Sequence, residues 1–301
     1  MELGHRPRSP DLVNWEYIGL PLTRGPWRCL GQQEAGDGRF WMAYTGIRRD
    51  DPHLVQRVGM AVSDDLVTWS KAEGNPVTQA DGVIYEEIGT GERAMGHWRN
   101  PFMLDAGDRV IQYVCARTKS DGQGCVAVAT STDMLSWQLE QPLTVDPMTE
   151  EIEVPQVYHI DGHYLFATFT RIILAEFRRQ HPDHEFKNSD YSMVGPTARG
   201  PFSIHGTGDV HQKAPNPYAS QLVNFGGEWF LLGTVVQTAS GAGDDYITDP
   251  IAISVDETGI SSGFLQDHQL LPSALTAPGG RTFYASSVGW EAAMRSGICG
   301  A

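Results

Sequence analysis

Basic residues are scarce in this chain. Its 301 residues hold 22 Lys and Arg against 37 Asp and Glu, a formal charge of −15 at pH 7 with histidine neutral. With no basic surplus to neutralise phosphates, the composition argues against a nucleic-acid partner and against an anionic membrane surface. Cysteine is rarer still: Cys29, Cys115, Cys125 and Cys299 include no C-x-x-C pair. That excludes a disulfide framework or a zinc ribbon and leads to the expectation of a reduced, cytoplasmic protein. No apolar run approaches the roughly 18 residues of a membrane span. The first residues, MELGHRPRSP, have no apolar core of a secretory signal. No His/Cys/Asp cluster has metal-ligand spacing, and no glycine-rich loop joins a strand to a helix, so neither metal nor cofactor is expected. Against these absences stand 41% hydrophobic residues, 33 glycines and eight tryptophans, enough for one large globular core.

The chain repeats itself. Ser9-Pro10-Asp11-Leu12-Val13-Asn14-Trp15 recurs as Ser63-Asp64-Asp65-Leu66-Val67-Thr68-Trp69 and as Ser131-Thr132-Asp133-Met134-Leu135-Ser136-Trp137. A degenerate fourth copy is Thr197-Ala198-Arg199-Gly200-Pro201-Phe202. The aspartates of this pattern cap turns through the backbone that follows them. The tryptophans are expected to pack one repeat on the next.

Aromatic and β-branched segments fill the gaps. Residues 39–45, 110–116, 163–168 and 228–234 each follow a glycine-containing turn and read as strands. Second strands at 58–62 and 126–129 lead into the repeated turns. Only 172–180 suggests a helix. Sheets of about four strands repeated along a chain indicate a β-propeller. Residues 27–78, 79–146, 147–210 and 211–265 each read as a blade, and 5–23 as the end of another. Ring closure then predicts a single all-β domain over 1–301, a five-bladed propeller whose first blade is completed by the C-terminal segment 281–290.

The turn Ser9–Glu16, the segment Trp98-Arg99-Asn100-Pro101-Phe102 and the segment Glu153-Val154-Pro155-Gln156-Val157 together resemble the five-bladed propeller glycosidases of glycoside hydrolase families 32, 43 and 68. The resemblance covers roughly residues 5–265. It implies a sugar or sugar-like ligand, such as a furanoside, in an axial pocket. Three carboxylates would surround that pocket: a nucleophile or base, a stabilising Asp in Arg-Asp-Pro, and a general-acid Glu before a Cys-Pro or variant. Glu153 matches the general acid. Asn100 stands where the stabilising Asp is expected, and the first motif is absent, the chain beginning where that blade's third strand is expected.

An oxocarbenium-like transition state needs negative charge beside it and a proton for the leaving oxygen. An asparagine keeps the shape of an aspartate and loses its charge. Three readings follow: hydrolysis with Glu153 and Asn100 in the catalytic positions, a non-hydrolytic biosynthetic reaction reusing the pocket, or an inactive propeller that binds a sugar or a protein. Arg99, His97 and Trp98 are expected to line the pocket, Arg99 by a forked contact and Trp98 as an aromatic plate. Tyr218, in the segment resembling the opening of the fifth blade, and Tyr284, in the tail, are further ligand-binding candidates. Glu86, Glu87, Glu150 and Glu151 read as exposed charges, and Asp244 and Asp245 as turn formers.

Overall fold

The computed structural model describes residues 7–17, 22, 31–36, 38–48, 50–89, 95–146, 148–170, 173–184, 186, 189–206, 208–210, 218–235, 246–248, 250–262, 274–277 and 281–284. Strands β1 (Pro7–Arg8) and β2 (Glu16–Tyr17) form a short ribbon. The first large sheet follows with β3 (Gly31–Gly36), β4 (Arg39–Ile47), β5 (Gln56–Ser63) and β6 (Ser70–Lys71). The second has β7 (Arg99–Asp105), β8 (Val110–Arg117), β9 (Gly124–Ser131) and β10 (Gln138–Glu140). The third has β11 (Glu153–Ile160), β12 (His163–Thr170) and β13 (Ser189–Gly195). The fourth has β14 (Tyr218–Phe225), β15 (Glu228–Val235), β16 (Tyr246–Ile247), β17 (Ile251–Asp256) and β18 (Gly259–Ser262). A hairpin of β19 (Ala274–Ala277) and β20 (Arg281–Tyr284) ends the described chain. Helix α1 spans only Ala175–Gln180. The four sheets are antiparallel meanders, as in propeller blades.

Both faces of the second sheet are covered, which explains why its strands read as unbroken apolar runs. On β8, Ile111 and Tyr113 pack toward the third sheet, while Val114 and Ala116 pack toward the first. Successive clusters join the first sheet to the second, the second to the third, and the third to the fourth. The N-terminal segment occupies the remaining slot. Leu12 and Trp15 pack on Val223, Phe230 and Leu232 of the fourth sheet, and Leu22 packs on Met42 and Ala61 of the first. The described N-terminal residues thus touch both ends of the row of sheets, Leu12 and Trp15 at the last sheet and Leu22 at the first.

The tail differs in detail from the expected closure. Residues 281–284 pair with β19 rather than with the N-terminal ribbon, and it is β19 that lies beside β2. Residues 285–290 lie outside the described residues. The cysteine hairpin is resolved by register. Cys115 stands opposite Val126 and Cys125 opposite Ala116, so the two thiols project from opposite faces of the sheet and both are free and buried. Burial pushes the Cys115 thiol up to about 12, so it is not a ready nucleophile.

The repeated turns share one hydrogen-bond pattern. Asp11, Asp65 and Asp133 each accept from the amides two and three residues on. Ser9, Ser63 and Ser131 each accept from the amide two residues on, and Thr197 does the same in the degenerate copy. The residue three past that hydroxyl is left-handed in all four: Leu12 (φ 62°), Leu66 (60°), Met134 (64°) and Gly200 (76°). The tryptophans pack inward, Trp69 and Trp137 also donating their indole N–H to the carbonyls of Leu66 and Met134.

Candidate active site

Each large sheet opens on an inner strand: β3, β7, β11 and β14. Strand β7 lies between β3 and β11. In the last three the ladder slips near the start, between Arg99 and Phe102, between Glu153 and Gln156, and between Tyr218 and Gln221. One residue in each slip is left-handed: Asn100 (φ 53°), Val154 (49°) and Ala219 (51°). Prolines follow the first two, placed where a lost N–H costs no ladder bond. The bulges make Arg99, Glu153 and Tyr218 equivalent positions on three successive blades, and Asn100, Val154 and Ala219 likewise.

Side chains of the second and third strands hold these bulges. The amide of Asn100 donates to Thr45 Oγ1 at 3.1 Å, and Thr168 Oγ1 donates to the carbonyl of Glu153 at 2.7 Å. The amide of Ser220 donates to the buried carboxylate of Asp190, 3.2 Å from each oxygen.

A charge cluster forms where β7 meets β11. Arg99 Nη2 donates to Glu151 Oε1 at 2.6 Å and to Glu153 Oε1 at 3.0 Å. Its Nη1 lies 2.9 Å from His97 Nδ1, which is also 3.1 Å from Glu151 Oε1. The side chains of Arg99, His97 and Glu153 are 5–6% exposed, whereas that of Glu151 is 37% exposed. Glu151 therefore stands at the mouth of the cluster. Burial pushes its carboxyl upward, but the hydrogen bond from His97 and the charge of Arg99 outweigh this and hold it below the usual carboxylate range. The buried atoms His97 Nε2 and Asn100 Oδ1 have no hydrogen-bond partner among the described residues.

The structure thus brings together His97, Arg99 and Glu153, with Asn100 next to Arg99 on the bulge, and adds Glu151, which sequence reasoning left among solvated charges. The alternation Glu151-Ile152-Glu153, with Ile152 buried in the core, was the available signal. Glu150 contributes through its backbone, its carbonyl accepting from Arg117 at 3.4 Å. Trp98 differs from the expected aromatic plate: it is 1% exposed, edge-on to Tyr85 at 5.2 Å, and donates its indole N–H to Thr78. It is a packing residue: just ahead of β7, its side chain enters the interface with the first sheet. Arg99 likewise spends its guanidinium on protein partners. Glu86 is half-buried against Arg117 at 3.2 Å, so only Glu87 is exposed as expected. The side chains of Tyr218 and Tyr284, and residues 244 and 245, lie outside the described residues.

The sequence profile of the glycosyl hydrolases family 32 N-terminal domain matches residues 4–241. The chain belongs to glycosyl hydrolase family 32. Solved structures of family members and their allies share the fold at low identity. A sucrose-bound mutant of the family 32 β-fructofuranosidase of Bombyx mori aligns with a TM-score of 0.64 and 18% identity, over 87% of this chain and 56% of that one. A thermostable family 43 glycoside hydrolase aligns with a TM-score of 0.61 and 14% identity, over 92% of this chain and 88% of that one. Bacillus subtilis levansucrase gives a TM-score of 0.59 and 14% identity, over 77% and 66%. This family 32 protein spans about half the length of the Bombyx mori enzyme.

Proposed function

We propose that the axial site of this family 32 propeller takes a β-fructofuranoside and that Glu153 is its proton donor. The observation that carries the reading is a nearly buried carboxylate on a bulged inner strand, 3.0 Å from a buried guanidinium. In that role Glu153 gives its proton to the glycosidic oxygen as the bond to the fructosyl carbon breaks. Family membership and the sucrose in the related Bombyx mori structure support a fructoside as ligand.

Asn100 favours a second reading, binding with little turnover. A neutral amide sits at the position next to Arg99 and cannot balance the positive charge that develops on the sugar. Sucrose and 1-kestose turnover, read beside calorimetric binding, separates the two. Wild-type protein is expected to bind at least one of these sugars and to hydrolyse it slowly. Glu153→Gln should remove hydrolysis and keep binding, whereas Asn100→Asp should speed hydrolysis if the site is a glycosidase. An Asn100→Asp protein that only binds its sugar more weakly would support the binding reading. Absence of binding to both sugars would overturn the fructoside assignment.

A further inference from the structure

One nitrogen of the site, Arg99 Nη2, serves two carboxylates. Glu153 is enclosed and Glu151 stands at the mouth, and both reach the same nitrogen. We infer that Glu151 is a positioning residue of this site, held by His97 and gripping Arg99, so that the guanidinium is shared between two carboxylates and not owned by Glu153. The inference rests on Glu153 being the functional carboxyl.

The geometry supports this in two ways. The contact to Glu151 is the shorter, 2.6 Å against 3.0 Å, so Arg99 is drawn toward the mouth. His97 Nδ1, 3.1 Å from Glu151 Oε1, donates to that carboxylate and holds it in place beside Arg99. A carboxylate that must hold and release a proton is poorly served by an exclusive ion pair, since a cation at contact distance strongly favours the charged form. A second anion on the same cation weakens that preference and adds like-charge repulsion. Both effects make it easier for Glu153 to hold a proton. Among the described residues, Thr168 from β12 donates to the Glu153 backbone carbonyl, and the buried Cys115 stands opposite Arg99 on β8.

Glu151→Gln tests the inference, because it keeps an oxygen for Arg99 and removes the charge. Glu carboxyl carbons are labelled with 13C, the Glu153 signal is assigned by its loss in Glu153→Gln, and its titration is followed in folded protein without ligand. The midpoint of Glu153 is expected to fall by about one pH unit in Glu151→Gln. Glu151→Asp, which keeps the charge, should restore most of the difference. An unchanged or raised midpoint in Glu151→Gln overturns the inference. Where a fructoside is turned over, the alkaline limb of kcat should move down by the same amount with KM within about twofold. The titration is read without substrate, so a site that proves not to act on fructosides leaves this result standing or falling by itself.

Discussion

The rim and the axis of this propeller both repeat a backbone shape, and they treat sequence in opposite ways. At the rim, four turns share a hydroxyl acceptor and a left-handed residue three positions on, at Leu12, Leu66, Met134 and Gly200. Three of them also keep the aspartate cap and the tryptophan. At the axis, three bulges share the slip and the left-handed residue, yet their leading side chains are Arg99, Glu153 and Tyr218. The rim repeats residues because the turn itself needs them: Asp supplies the acceptor for two amides that otherwise have none. The axial bulge is held by neighbouring strands, through Thr45, Thr168 and Asp190, so its leading side chain is left to chemistry.

If this contrast is right, the largest loss of stability lies at the axis. Arg99→Met leaves Glu151 and Glu153 facing each other with no cation, and urea unfolding should show a loss of about 3–5 kcal/mol. A loss below about 1 kcal/mol would mean the axis is as tolerant as an exposed turn. Rim changes should be smaller and independent. Asp65→Ala and Asp133→Ala should each lower the melting temperature by about 2–4 °C, and the double variant by their sum, since the two turns share no partner. Marked non-additivity would show the blades to be coupled through their rims.

The smallest effect is the pH dependence, which sharpens the same comparison. The amides held by Asp11, Asp65 and Asp133, with the Asn14 side chain at Asp11, keep these carboxyls at about 2 in the folded chain, against about 3.9 when unfolded. A lowered folded value means the unfolded chain takes up protons first. The contribution is therefore complete above about pH 4 and lost as pH falls through about 2. Glu151 is lowered further, by His97 and Arg99 acting against its burial, so its contribution has the same sign and persists to lower pH. Unfolding midpoints measured from pH 5 downward should fall less steeply in Asp65→Asn over the upper part of that window. In Glu151→Gln the slope should be reduced down to its acid end. Equal acid limbs in wild type and both variants would contradict the assignment.

Much of the fold was legible from residue types. The strands at 39–47, 110–117, 163–170 and 228–235 cover the segments read as strands, because aromatic and β-branched runs between glycine turns have few other homes. Even the degenerate repeat at Thr197 was readable, since it retains the hydroxyl and a glycine at the left-handed position. The site was legible only where a motif fixed it. Glu153 and Arg99 lie beside their prolines, and the bulge explains both the motif and the placement. Glu151 was hidden because an acidic run before a strand looks solvated until its neighbour is known. Trp98 misled for the converse reason: an aromatic beside a functional arginine can face a ligand or a blade interface, and here the first sheet, with Thr78 taking its indole N–H, holds it in the interface.

What the sequence determined by itself is therefore what acts within a few residues: the Asp-capped turns, the left-handed positions and the strands between them. Tertiary structure decided which charges meet. Arg99 is 52 residues from Glu151 and 54 from Glu153, and no local pattern pairs them. They are brought together because two sheets bury a shared apolar face and align the bulges at the starts of their inner strands. Burial then forces the buried arginine to find carboxylates, since an unpaired charge inside the ring would cost more than the fold can spare.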